Sequence, residues 1–331
     1  MAQRKDTKLV QPFSTNGTDF QPNLFTIVNE KVGSENSDEL ESVEEKKSVR
    51  EGKRANELDG ASWIRYSISI WSDIRKNAEE LSLKHPAMFP MSLPERLIQC
   101  FTTSIDKIII DPFAGVGSTM LAAQKMGRTG IGIELSQDYA DIANKRLNPT
   151  NLFSELETKK SSSVVYADNS LNLLNYIAPE TADFGVTSPP YWDILIQKRS
   201  ADYKEIRSYT GDKEQDLGTI SDYEEFIESL RPIFTNVFKA LKPGKYFCVN
   251  VMDIRKKDRL YSYHEDIKNL LSNIGFKYDD LIIWDRRLDY NNMRPLGYPS
   301  VFRVNRAHEF ILIFQKPSNG KFDKTRERDN L

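Results

Sequence analysis

The chain has 331 residues, of which 39% are hydrophobic and 28% charged, and a formal net charge of −2. That balance suits a large core in one long or two ordinary domains. No stretch approaches the ~18 consecutive apolar residues of a membrane helix, and no basic-then-apolar leader opens the chain, so a cytoplasmic location is expected. Cys100 and Cys248 stand far apart without CxxC or HxxxH spacing, which argues against a disulfide framework and a zinc site and predicts no metal.

Residues 1–57 are polar, with acid concentrated between Glu35 and Glu45, and are expected to be disordered or loosely attached. Residues 58–316 read as one domain and 317–331 as a polar tail. Trp63 to Trp71 mixes aromatic and β-branched residues, and Asp73 to Lys84 looks helical. His85-Pro-Ala-Met-Phe-Pro90 is a stiff extended loop, because its prolines forbid helix. Leu93–Phe101 predicts a helix with Pro94 in its first turn.

A strand over Asp106–Ile110 leads through Asp111-Pro-Phe-Ala-Gly-Val-Gly117 into a helix over Ser118–Met126. A strand from Arg128 to Ile133 then ends at Glu134, and a helix follows over Asp138–Leu147. Strands are predicted next at Val164–Tyr166 and Phe184–Thr187. Helix Asp222–Leu241 precedes strand Tyr246–Val251, and helix Glu265–Asn273 precedes strand Asp280–Trp284. A last strand covers Glu309–Phe314. This alternation predicts a doubly wound α/β fold of the Rossmann-like kind.

The spacing of the glycine loop narrows its ligand. A P-loop requires GxxxxGK followed by Ser or Thr, and Gly117 is followed by Ser118 with no lysine. A dinucleotide loop requires GxGxxG, and Met120 stands at the third place. Gly115 and Gly117 still admit close approach of a ligand, and Glu134 can accept two ribose hydroxyls. A nucleoside without a phosphate clamp fits, S-adenosylmethionine being the common cofactor of that kind. A structural turn is the plain alternative.

Ser188-Pro-Pro-Tyr191 follows a strand end, where α/β folds place ligands. Two acceptors, the Ser188 hydroxyl and the Pro189 carbonyl, can bind both hydrogens of an exocyclic base amine and bend its nitrogen towards tetrahedral geometry. The lone pair is then free to attack a sulfonium methyl, while Tyr191 stacks on the flipped base. Without such a ligand, the same residues make a Pro-Pro turn capping a strand. Carbon-5 methylation would need a nucleophilic cysteine, and Cys100 and Cys248 read as core thiols. His264 and His308 read as structural.

With these motifs, the stretch from Trp63 to Phe314 resembles the DNA amino-methyltransferases that act on cytosine N4 or adenine N6. Asp111 to Thr119 is similar to the family's cofactor motif, Thr187 to Trp192 to its catalytic motif, and His85 to Pro90 to the segment over the cofactor's methionine end. The resemblance implies a methyltransferase sheet binding S-adenosylmethionine. His85, Pro86, Phe89, Asp111, Phe113, Gly115, Gly117 and Ser118 would line the cofactor, Glu134 would hold its ribose and Asp168 would meet its adenine. Ser188, Pro189, Pro190 and Tyr191 would carry catalysis.

Serine at the first motif position favours cytosine N4 over adenine N6, and is less in keeping with RNA or protein-amide methylation, where asparagine is usual. Intact motifs argue against a catalytically silent DNA-binding relative. The resemblance also implies double-stranded DNA as substrate and a cognate restriction endonuclease as companion. Two segments, 193–217 and 286–306, are candidates to meet DNA through Lys198, Arg199, Arg207, Arg286, Arg287, Arg294 and Arg303. Each reads equally as an ordinary loop over the sheet edge.

Overall fold

A computed structural model describes residues 55–83, 88–149, 163–194, 215–289 and 300–318. The polar segment expected over 1–57 lies outside the described residues as far as residue 54, and the tail from 319 onward lies outside them too. Asn56 is already buried, donating from Nδ2 to the Cys100 carbonyl at 2.9 Å. The packed body therefore takes in residues that composition alone assigned to the loose segment.

The elements are α1 (Gly60–Tyr66), β1 (Ile70–Trp71), α2 (Ala78–Ser82), α3 (Ser92–Phe101), β2 (Ile108–Asp111), α4 (Ser118–Lys125), β3 (Thr129–Glu134), α5 (Gln137–Leu147), β4 (Val164–Ala167) and β5 (Ala182–Thr187). They continue with α6 (Tyr223–Ala240), β6 (Leu241–Val251), β7 (Ile254–Lys256), β8 (Arg259–Tyr261), α7 (Tyr263–Ile274), β9 (Lys277–Asp285) and β10 (His308–Gln315). The helix expected over Asp73–Lys84 contracts to α2. Asn77 Oδ1 accepts from the Glu80 amide at 2.8 Å and Glu80 Oε2 accepts from the Asn77 amide at 2.9 Å, and this reciprocal cap starts the helix only after Asn77. The two-residue β1 and the β7–β8 hairpin were not expected, being too short to show a period.

Eight strands form one sheet in the order β1-β9-β10-β6-β5-β2-β3-β4. All run parallel except β10, which lies antiparallel between β9 and β6. Central β5 is buried along its whole length, as a parallel strand covered on both faces must be. Successive residues serve opposite layers. Ile110, Phe247, Val249, Leu312 and Phe314 pack with Leu230, Phe234 and Val237 of α6 and with Ile267 and Leu271 of α7. Ile109, Phe184, Val186, Cys248 and Ile311 pack with Leu93, Leu97 and Ile98 of α3 and with Ala122 and Ala123 of α4. This is the doubly wound α/β fold expected. The order moves outward from β2 to β3 and β4, then returns to β5 on the other side, so the loops after β2 and β5 open at the switch point where such sheets bind ligands.

Those two loops share a support. Asp111 closes β2 with its carboxylate fully buried, accepting from Thr119 Oγ1 and Thr187 Oγ1, each at 2.6 Å, and from the Phe113 amide at 3.0 Å. Burial pushes its carboxyl up to about 6, against the pull of these hydrogen bonds. Gly117, the N-cap of α4, has φ +82°, and a Cβ there would lie 2.9 Å from Ala143 Cβ on α5.

Two outcomes follow from this bracing. Gly117→Ala should cost about 2–4 kcal/mol in urea unfolding, from backbone strain plus overpacking against Ala143; a loss below about 0.5 kcal/mol would contradict it. For Asp111, the folded carboxyl titrates near 6 and the unfolded one near ~3.9. Its contribution is complete below about pH 4 and is lost as pH rises through about 6. Between pH 4 and pH 7 the wild type should lose on the order of 3 kcal/mol relative to Asp111→Asn. Parallel stability profiles for the two would refute that.

Candidate active site

A cleft of about 1100 Å³, counted to its open mouth, lies over the C-terminal ends of β2, β3 and β5. Its described walls include Met88 and Phe89, the loop Phe113–Val116, Ser118, Glu134, Asn169 and Ser170, the run Ser188–Trp192, and residues 215–218. Among these described wall residues Glu134 and Asp216 are carboxylates, and none is a lysine or arginine. A phosphate would meet no counter-charge from them, whereas a cation and sugar hydroxyls meet acceptors.

The loop after β2 is shaped by Glu134 at the end of β3. Its Oε2 accepts from the Gly115 amide at 2.9 Å and its Oε1 from the Ser136 amide at 2.8 Å, with Gly115 at φ +53°. Ser118 Oγ donates to the Phe89 carbonyl at 3.0 Å, closing the segment before α3 onto the loop. Phe89, Phe113, Gly115, Ser118 and Glu134 thus line one wall of the cleft. His85 and Pro86 lie outside the described residues.

Three residues expected at the ligand do not border the cleft. Asp111 lies beneath the loop, its carboxylate committed to Thr119, Thr187 and Phe113. Gly117 faces Ala143 and Val165, so a side chain there would strike α5 rather than enter a ligand's path. Asp168 accepts from Tyr176 Oη at 2.7 Å, Asn172 Nδ2 at 2.8 Å and the Asn169 amide at 2.7 Å. Although burial pulls its carboxyl upward, these bonds hold it below the usual carboxylate range. Asn169 and Ser170, not Asp168, form the wall there.

Ser188, Pro189, Pro190 and Tyr191 occupy the opposite wall. Ser188 Oγ is 3.2 Å from Tyr191 Oη, which donates to Glu309 Oε2 at 3.3 Å. Burial, and then the Glu309 carboxylate, push the Tyr191 phenol well above its ordinary range, so it keeps its proton. Glu309, 5% exposed at the start of β10, also accepts from Asn250 Nδ2 and Arg286 Nη1. Tyr263 Oη donates to the Pro190 carbonyl at 2.9 Å and fixes the turn.

Beyond the turn, Trp192 is buried at φ +50°, a strained conformation for a bulky residue. Its Nε1 donates to the Ile220 carbonyl at 2.8 Å. Lys256 of the β7–β8 hairpin lies 3.6 Å over its ring and pairs with Asp193 at 2.6 Å. The hairpin therefore grips the chain directly after Tyr191.

Two arginines expected to meet DNA are engaged internally. Arg286 pairs with Glu309 and with Asp289 at 3.1 Å, and Arg287 pairs with Asp285 at 2.7 Å. Lys198, Arg199, Arg207 and Arg294 lie outside the described residues. Arg303 is half-buried on the segment entering β10, beside Phe302, which is 91% exposed. Sequence reasoning missed Glu309 and Asn250 as parts of the site, and gave Trp192 no role of its own within the motif. The single available sign was a carboxylate opening the apolar run His308 to Phe314. Neither cysteine borders the cleft. Burial pushes the Cys100 thiol up to about 12 and that of Cys248 well above its ordinary value, so neither is a ready thiolate. His264 is engaged with Asp253 at 2.6 Å and stacks on Phe310.

The N6/N4 methyltransferase family model, described as DNA methylase, matches residues 7–145 and 182–331. Stretches of the chain are similar to two type II methyltransferases. M.ScaI of Streptomyces caespitosus is 51% identical over 63 residues, 19% of this chain and 20% of that protein. M.MthZI of Methanothermobacter thermautotrophicus is 30% identical over 144 residues, 42% of this chain and 39% of that protein. The matched stretches thus span well under two thirds of these relatives. Among solved structures, TTHA0409 from Thermus thermophilus, in complex with S-adenosyl-L-methionine, overlaps 48% of this chain and 58% of that one at TM-score 0.32 and 24% identity. The family model covers most of the chain, both working loops included, and the chain belongs to the N6/N4 DNA methylase family.

Proposed function

We propose that this chain transfers a methyl group from S-adenosylmethionine to the N4 amine of cytosine in double-stranded DNA. The observation that carries the reading is one cleft holding Glu134 on one wall and Ser188 with Tyr191 on the other, with no lysine or arginine among its described wall residues. The cofactor supplies an electrophilic methyl group on a sulfonium; its adenosine needs apolar faces and hydroxyl acceptors rather than a phosphate clamp. Glu134 is the residue for the ribose, with Phe89, Phe113 and the backbone at Gly115 around the remainder.

At the other wall, Ser188 Oγ and the Pro189 carbonyl accept the two amine hydrogens, and the Tyr191 ring supports the flipped base. No base is required before attack, because the amine loses its proton after it gains the methyl. DNA approaches the C-terminal edge of the sheet. There the exposed Arg255, Lys257 and Arg259 of the hairpin, with Arg303 and Arg306 before β10, are the proposed phosphate contacts. Burial, and then the charge of Arg255, hold the Arg306 guanidinium below its ordinary value against the pull of the Asp253 carboxylate. The type II methyltransferases among the relatives support a place beside a cognate restriction endonuclease, acting in the cytoplasm.

Incubation with unmethylated bacteriophage DNA and methyl-labelled cofactor, followed by nucleoside mass spectrometry, should yield N4-methylcytosine. Ser188→Ala should lower turnover about 10²-fold or more with cofactor affinity retained. N6-methyladenine would contradict the assignment of the base, and the absence of any methylated nucleoside would contradict the reading as a whole.

A further inference from the structure

The side chains behind the Ser-Pro-Pro-Tyr turn form a hydrogen-bond chain with only one consistent direction. Glu309, buried and salt-bridged to Arg286, offers acceptors only. Its Oε1 takes a hydrogen from Arg286 and its Oε2 takes one from Asn250 Nδ2, so both oxygens are held by fixed donors. Tyr191 has a single phenolic proton, which goes to Glu309 Oε2 at 3.3 Å. Its oxygen can then meet Ser188 Oγ, 3.2 Å away, only as an acceptor, and the Ser188 proton must point towards Tyr191. What Ser188 turns to the cleft is therefore its lone pairs.

We propose that Glu309 is a positioning residue that sets the polarity of this chain, holding Ser188 as an acceptor towards the hydrogens of the exocyclic amine. This rests on the methyl-transfer reading of the site and adds to it. A serine hydroxyl is both donor and acceptor, and by itself would present either face to an amine. An outward-pointing Ser188 proton would confront the amine hydrogens and compete for the nitrogen lone pair that must attack the methyl group. With Glu309 in place, that arrangement requires Tyr191 to abandon a charged acceptor. Arg286 thereby acquires a role distinct from DNA contact: as counter-ion, it keeps Glu309 fixed inside the site. The Lys76 ammonium faces the same group, and burial together with the Arg286 charge lowers its affinity for a proton.

The test compares Glu309→Gln in the wild-type and Tyr191→Phe backgrounds, on DNA that the wild type methylates. The glutamine keeps the shape but places an amide donor opposite Arg286 or Asn250, loosening the fixed direction. Glu309→Gln should lower kcat about 10–100-fold, with KM for DNA and cofactor affinity within about twofold. Adding it to Tyr191→Phe, which keeps the ring and lacks the hydroxyl, should cost less than about twofold more, because the relay is already absent. Equal losses in both backgrounds, or no loss in the first, would overturn the proposal.

A second readout does not depend on turnover. With carbon-13 at tyrosine Cζ, the Tyr191 resonance, assigned by its absence in Tyr191→Phe, should move in Glu309→Gln. An unmoved resonance would overturn the proposed polarity. Failure of the wild type to methylate DNA, with that resonance moving as expected, would count against the functional reading alone.

Discussion

Asp111 ends β2 with its carboxylate sealed from solvent and accepts hydrogens from Thr119 on α4 and from Thr187 at the end of β5. Thr119 belongs to the helix that the cofactor loop feeds, and Thr187 is the residue before Ser188. One buried group therefore fixes the distance between the loop that shapes one wall and the turn that carries the other. Burying a carboxylate costs several kcal/mol unless hydrogen bonds repay it, and here the Phe113 amide supplies a third bond besides the two hydroxyls. The raised carboxyl records the residual cost of that arrangement. A well-supported junction at a switch point suits the proposed two-substrate site, since misplacing either wall by about 1 Å can cost about 10²-fold in rate.

Around this junction the site divides its electrostatics. The described cleft walls present acceptors in Glu134 and Asp216, and Ser188 joins them in the proposed polarity of its hydroxyl. Among the described residues, cations of the same sheet edge lie on the β7–β8 hairpin and the segment entering β10, or pair with a carboxylate, as Arg286 does with Glu309. That segregation suits a reaction in which a sulfonium and an amine meet in the interior while a polyanion is held at the surface. Trp192 connects the two regions. Its left-handed backbone and buried ring are held by Lys256, so the hairpin and the Ser-Pro-Pro-Tyr turn are mechanically joined. An isolated ring at φ +50° would relax; gripped between Lys256 and the Ile220 carbonyl, it does not.

Much of this was legible in the residues alone. Strand, glycine loop, helix, strand and acid follow one another as in a parallel α/β unit, which pointed to the sheet, to Gly115 and Glu134 and to the turn Ser188–Tyr191, while Phe113 was placed by the family resemblance. What stayed hidden depended on three-dimensional partnership. Asp111, Gly117 and Asp168 sit inside motifs whose other members face the ligand, and spacing does not reveal which way a side chain turns. Asp168 is bound by Asn172 and Tyr176, four and eight residues further along the chain. Arg286 looks like a surface cation in a basic run, and no local pattern discloses its carboxylate partner Glu309; Arg287 stays at the surface, paired with its near neighbour Asp285. Glu309 itself lies 118 positions from Tyr191. Only the antiparallel insertion of β10 between β9 and β6 delivers it to the site.

The proposed function requires the cleft at the switch point to take a nucleoside bearing a positive sulfonium and to refuse a nucleotide bearing phosphates. Titration calorimetry of S-adenosylmethionine and of ATP into the same preparation tests it most directly, since the two share adenosine and differ in the sign of what it carries. One S-adenosylmethionine site per chain is expected, lost in Glu134→Ala, with no competition from ATP. ATP binding at that site with comparable affinity, or S-adenosylmethionine binding that ignores Glu134, would contradict it.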